Sequence, residues 1–219
     1  MQYSRIKSLV SKELLLDWKA KNSLAGILIY VASTVFVCYL SFQHIVEPKT
    51  FNALLWIIIL FTTVNSITKN FAQESDNRLL YLYTLANPKE IILSKMIYNT
   101  ILLLILSLIT YGAYTLLLGN PIQNQLGFLA TLVIGAIGLS VTLTLMAAIA
   151  SKSSNSSTLM AILSFPVILP FLITLIALSL NFVEGTNPGQ NFNYFMSLGG
   201  IIVIGITMAY LLFPYLWRD

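Results

Sequence analysis

Apolar and polar positions alternate along this chain in long blocks. Predominantly apolar runs cover Leu24–Phe42, Phe51–Ile67, Met96–Leu118, Leu126–Ala150, Thr158–Leu180 and Tyr194–Leu216. Each is close to the ~17–25 residues that a helix needs to cross a bilayer, so the pattern predicts six membrane spans. The segment before the first run, "YSRIKSLVSKELLLDWKAK", behaves differently. Ile6, Val10, Leu14 and Trp18 recur every four residues with Leu9 beside them, while Ser8, Lys12 and Lys19 lie elsewhere on the helix. This is the spacing of an amphipathic helix over residues 1–21 lying in the membrane interface, with Trp18 at headgroup depth and lysines toward anionic lipid.

The largest polar interruption is "NFAQESDNRLLYLYTLANPKE", Asn70 to Glu90. Glu74 and Asp76 stand where acidic side chains complement the start of a helix, and Arg78 follows them. Leu79, Leu82, Tyr83 and Ala86 share one face by three-and-four spacing, whereas Asn77, Tyr81 and Thr84 point the other way. With Pro88 read as its end, the segment predicts a short amphipathic helix on the inner membrane face between spans two and three. The other connections are "QHIVEPKT", "GNPIQNQ", the turn "SKSSNSS" and the Asn-, Gly- and Pro-rich "NFVEGTNPGQNFN". None is long enough to form a soluble domain.

Composition sharpens this picture. The chain has 219 residues, 57% hydrophobic and 9% charged, with a mean hydropathy of +0.83. A soluble domain carries about 25% charged residues, so 1–219 reads as a single membrane domain. The first apolar run begins after about twenty residues and precedes no small-residue cleavage pattern, so it reads as a span rather than a signal peptide. The net charge of +4 does not point to nucleic acid, because its distribution follows membrane topology. With the N-terminus inside and six spans threaded, Arg5, Lys7, Lys12, Lys19, Lys21, Lys69, Arg78, Lys89, Lys95, Lys152 and Arg218 all fall inside, and Lys49 alone falls outside. That asymmetry predicts an N-in, C-in protein.

Most membrane chemistries lack their residues here. There is no G-x-x-x-x-G-K-[ST] phosphate loop and no H-E-x-x-H, so the chain is not expected to hydrolyse ATP itself or to be a metalloenzyme. Cys38 is the only cysteine, which leaves it a packing role. His44, the only histidine, reads as an interfacial polar residue rather than an iron ligand. The spans are nearly free of charge, so no proton path is evident. Thr62, Thr63, Asn65, Ser66, Asn99, Thr100, Ser140, Thr142 and Thr144 are expected to hydrogen-bond between helices. Pro166 and Pro170 in span five should kink or partly unwind it, either for packing or to shape a path. Gly127, Gly135 and Gly138 in span four offer a surface for close helix approach, read here as a contact between two copies of the chain.

Two stretches carry a family resemblance: "NPKEIILSKMIYNTILL" and "GAIGLSVTLTLMAAIASKSSNSSTLMAILSFPVILPFLI". With the six spans and the segment between spans two and three, the chain resembles the CcmB family along essentially its whole length. That family, haem exporter protein B, is the permease subunit of the ABC transporter for c-type cytochrome maturation. Asn77 departs from the family pattern, where glycine often follows the Asp. The resemblance implies an all-α, ABC-2 type permease in the bacterial inner membrane, working as a homodimer with two copies of a separate ATPase, CcmA. It further implies CcmC, CcmD and the haem chaperone CcmE as partners, and haem as cargo of the complex. Segment 70–90 would then be the ATPase-coupling helix, with Glu74, Asp76, Arg78, Leu79, Leu82 and Tyr83 as its contact and anchoring residues and residues 1–21 as a second contact. A permease for lipid or drug, a non-transporting membrane scaffold, and a membrane enzyme are the alternatives.

Overall fold

Each apolar run becomes a helix. A computed structural model describes residues 2–19, 21–42, 47–72, 87–151, 153 and 155–216. These form α1 (Gln2–Lys19), α2 (Lys21–Phe42), α3 (Pro48–Ala72), α4 (Pro88–Leu118), α5 (Gln125–Ala150), α6 (Ser156–Val183) and α7 (Phe192–Leu216), with a 3-10 turn over Pro188–Asn191. No strand occurs among the described residues, and α2 to α7 are each long and apolar enough to span a membrane. The protein is an all-α membrane protein.

α5 is the axis of the bundle, packed against α3, α4, α6 and α7. Small residues make that crowding possible. A side chain on Gly135 would run into the Trp56 ring of α3, one on Gly138 into Phe171 of α6, and one on Gly127 into Phe182. The three glycines therefore close the interior of one chain, and the expectation that they face a second copy is corrected. α2, α6 and α7 are the least buried of the six spans and show apolar side chains outward, among them Ile29, Phe36, Ile162, Phe165, Ile173, Val203 and Ile204.

The end of the bundle opposite the 73–86 segment is laced by amides. Asn124 caps α5 by accepting from the Gly127 N–H at 3.0 Å and donates from Nδ2 to the Thr186 carbonyl at 3.2 Å. Asn181, Asn191 and Thr186 bond one another. Below this layer, Trp56 Nε1 donates to Ser179 Oγ at 2.8 Å and Asn52 Nδ2 to the Ile176 carbonyl at 3.0 Å, tying α3 to α6.

α1 is helical, as its periodicity predicts, but it is a docked element rather than one lying on lipid alone. It packs against α4 and α2, with Leu9 and Val10 turned onto the core and Leu14 and Leu15 left outward. α6 runs unbroken through Pro166 and Pro170, so of the kink or partial unwinding expected there, the unwinding does not occur. Both prolines lie on its exposed face and line no interior path within one chain. Cys38 is half-buried and packs against the core. His44 lies outside the described residues.

Candidate functional site: the frame around residues 73–86

The coupling residues named from the sequence, Glu74, Asp76, Arg78, Leu79, Leu82 and Tyr83, lie outside the described residues. What the structure shows is the frame that holds both ends of their segment. Asn70 to Ala72 form the last turn of α3, and Pro88 to Glu90 form the first turn of α4. Pro88 therefore starts α4, and residues 70–72 and 88–90 of the expected segment 70–90 belong to the flanking helices. Only 73–87 lies between the helices.

The local chemistry explains the start of α4. Asn87 takes the extended backbone of an N-cap, and Pro88 sits at the first helical position, where its missing N–H costs nothing. Three residues on from the cap, Glu90 Oε2 accepts the Asn87 N–H at 3.3 Å. Glu90 is only 5% exposed, so its carboxylate is an internal brace at the helix start, not a surface charge. Lys95, one turn further in, is 6% exposed and places its ammonium 4.6 Å from the centre of the Phe71 ring. Phe71 is in the last turn of α3, so this cation–π contact links the residues flanking the segment on either side.

A second tie runs deeper. Asn70 Nδ2 donates to Asn99 Oδ1 at 3.0 Å, and Asn99 Nδ2 donates to Thr144 Oγ1 at 2.8 Å. Beside it, Thr100 Oγ1 donates to Ser140 Oγ at 3.1 Å and Ser140 Oγ to the Met96 carbonyl at 3.3 Å. Thr68 Oγ1 reaches Met160 Sδ of α6 at 3.3 Å. One amide, Asn99, thereby joins α3, α4 and α5 in a site that is 1% exposed. Side-chain hydrogen bonds between membrane helices contribute on average ~0.6 kcal/mol and at most about 1.7. The whole network is thus worth a few kcal/mol, enough to make the helix ends move together.

Not all the intramembrane polar residues join it. Thr62 and Thr63 return their hydroxyls to the Ile58 and Ile59 carbonyls of their own helix, both at 2.7 Å. Asn65 is exposed, and Thr142 is buried. The expectation of interhelical bonding holds for Asn99, Thr100, Ser140 and Thr144 and is corrected for Thr62 and Thr63. A threonine facing its own preceding turn finds that carbonyl first. Glu90 and Lys95 were missed as buried anchors. The signal for Glu90 was present: Asn87-Pro88-Lys89-Glu90 is a cap, a first-turn proline and an acidic residue three positions on.

The frame is built largely from the stretch that carried the family resemblance, Pro88 through Lys95, and from the α5 segment beyond Gly135. The CcmB protein family model matches residues 4–215. The chain belongs to the CcmB family. This makes it the haem-exporter permease component of an ABC system for cytochrome c maturation, a multi-pass membrane protein whose system includes an ATPase partner. No individually curated protein matches the chain closely enough to stand as a relative. Among the described residues no group of three or more His, Cys, Asp or Glu side chains is placed to hold a metal ion.

Proposed function

We propose that residues 73–86 form the element through which the separate ATPase subunit drives this permease, and that the chain itself hydrolyses no ATP. The carrying observation is the Asn70–Asn99–Thr144 chain, which fastens both helices flanking the segment to the central α5. A push on the segment is transmitted to three helices at once. Lys95 over Phe71 and the Glu90 brace stiffen the same junction. In this reading two copies of the ATPase act on a permease dimer, and the work is release of the haem-loaded chaperone, with CcmC and CcmD in the same complex. The dimer contact falls on the outward faces of α2, α6 or α7, since the glycine face of α5 is occupied. The orientation is N-in, C-in, placing 73–86 and the 151–155 turn on the ATPase side.

The test is a set of variants in the segment: Glu74→Lys, Asp76→Lys and Leu79→Asp. Reversing an acidic charge at a helix start costs only ~0.3–1 kcal/mol, too little to unfold six spans. Normal membrane levels, reduced co-purification of the ATPase and loss of c-type cytochromes are expected. If all three variants keep both ATPase binding and cytochrome production, the coupling assignment fails. Reporter fusions after Lys49 and Asn120 should read outside and those after Pro88 and Ser153 inside; any reversal refutes the orientation.

A further inference from the structure

A cleft of about 210 Å³ opens at the same end of the bundle, between the first turn of α4 and the last turns of α7. It is lined by Lys89, Tyr210, Leu211, Pro214 and Tyr215. The four α7 residues fall at i, i+1, i+4 and i+5, one strip of one helix face. The Lys89 ammonium stands 4.3 Å from the centre of the Tyr210 ring, which holds the cation in place without neutralising it. Among the described residues no carboxylate forms an ion pair with Lys89.

Depth decides what such a cleft meets. The apolar run of α4 begins at Met96, and Lys89 lies seven residues before it, ~10 Å along the axis at 1.5 Å per residue. The headgroup layer extends roughly 5–8 Å beyond the hydrocarbon on each side. The Lys89 backbone lies just beyond that layer, and its long side chain brings the ammonium down over Tyr210, to the level of lipid phosphates. Leu211 and Tyr215 are 56% and 73% exposed, and they continue the cleft onto the outward apolar face of α7, where Met208 and Ile204 are also exposed. A cation and two tyrosines at phosphate level, opening onto an apolar strip, match a molecule with an anionic head and hydrocarbon tails. Basic pockets between membrane helices hold anionic headgroups in this way.

We propose that this cleft binds the phosphate headgroup of an anionic glycerophospholipid, with Lys89 as the ionic contact, the tyrosines bracketing the head, and an acyl chain lying along Leu211 and the face of α7. This assignment is independent of ATPase coupling through 73–86.

The test uses the full-length protein in mild detergent, with native mass spectrometry reading the lipid adducts retained from phosphatidylglycerol and from phosphatidylcholine. The wild type is expected to retain phosphatidylglycerol preferentially. Lys89→Ala should weaken that retention about five-fold, the effect of one lysine near an anionic surface, and Lys89→Arg should restore it. Tyr215→Glu provides a second variant at a side chain on which little of the fold depends, and it should repel the anionic head to a similar degree. Equal phosphatidylglycerol retention by the wild type, Lys89→Ala and Tyr215→Glu would overturn the proposal. So would displacement of the lipid by millimolar inorganic phosphate, which would make the ligand a free anion. Loss of ATPase recovery in Lys89→Ala with lipid retention unchanged would likewise overturn it in favour of a protein contact.

Discussion

α5 and α7 are nearly equal in apolar character, with mean hydropathies of 2.3 and 2.1 over an 18-residue apolar stretch of each, yet 78% of that stretch is buried inside the chain in α5 and only 11% in α7. What separates them is side-chain size and chemistry. α5 carries Gly127, Gly135, Gly138, Ser140 and Thr144, and each meets a ring or a hydrogen-bond partner on a neighbouring helix. α7 carries Gly199 and Gly200, around which a side chain would meet nothing within 4 Å, together with outward Met196, Val203, Ile204 and Leu211. In a lipid solvent, hydrophobicity gives no preference for the interior. Small residues that admit a neighbour's bulk, and hydroxyls that find a partner, decide which helix becomes the axis.

The sharpest way to break this contrast is to put bulk on both helices. Gly138→Leu forces a side chain into the fully buried Phe171 ring. It should cost about 3 kcal/mol or more and lower both membrane accumulation and thermal stability in detergent. Gly200→Leu on α7 should leave both unchanged. If the two behave alike, the axis has been misassigned. A smaller effect is expected at the polar frame. Asn99→Leu removes the bonds to Asn70 and Thr144, for a loss of about 1–2 kcal/mol. Its activity should fall further than that loss explains, with ATPase binding retained and c-type cytochromes reduced. Thr62→Val should be smallest, within about 0.5 kcal/mol, because its hydroxyl only returns to its own helix. A large effect at Thr62 would mean that this hydroxyl serves something outside the chain.

Existence and number of the spans were legible in the sequence because a 20-residue apolar run has few alternatives in a bilayer. The polar frame was partly legible: Asn99, Thr100, Ser140 and Thr144 could be picked out as interhelical, since a lone amide or hydroxyl in a span needs a partner. Which threonines turn back on their own helix was not, because that choice depends on the neighbour each one faces. The glycines of α5 were correctly read as close-approach sites but given the wrong partner. Spacing marks a surface that accepts bulk and is silent on whether the bulk comes from the same chain. The start of α4 was readable from Asn87-Pro88-Lys89-Glu90, yet Pro88 was taken as a terminator. A proline can follow the end of one helix and also begin the next, and Glu90 beyond it is what marks the start of α4.

The 31 residues of α4 make it ~46 Å long, against a hydrocarbon layer of about 30 Å. Its surplus turns form a stiff arm, braced at the base by Asn99 and carrying the end of the 73–86 segment at the tip. A rod of this kind amplifies motion. With the pivot near mid-membrane, the tip lies ~25 Å away at 1.5 Å per residue, and a tilt of ~10° swings it by ~4 Å. Read in reverse, a displacement of a few ångströms at the tip becomes a small rotation of the packed bundle, which close-packed helices can accept without parting.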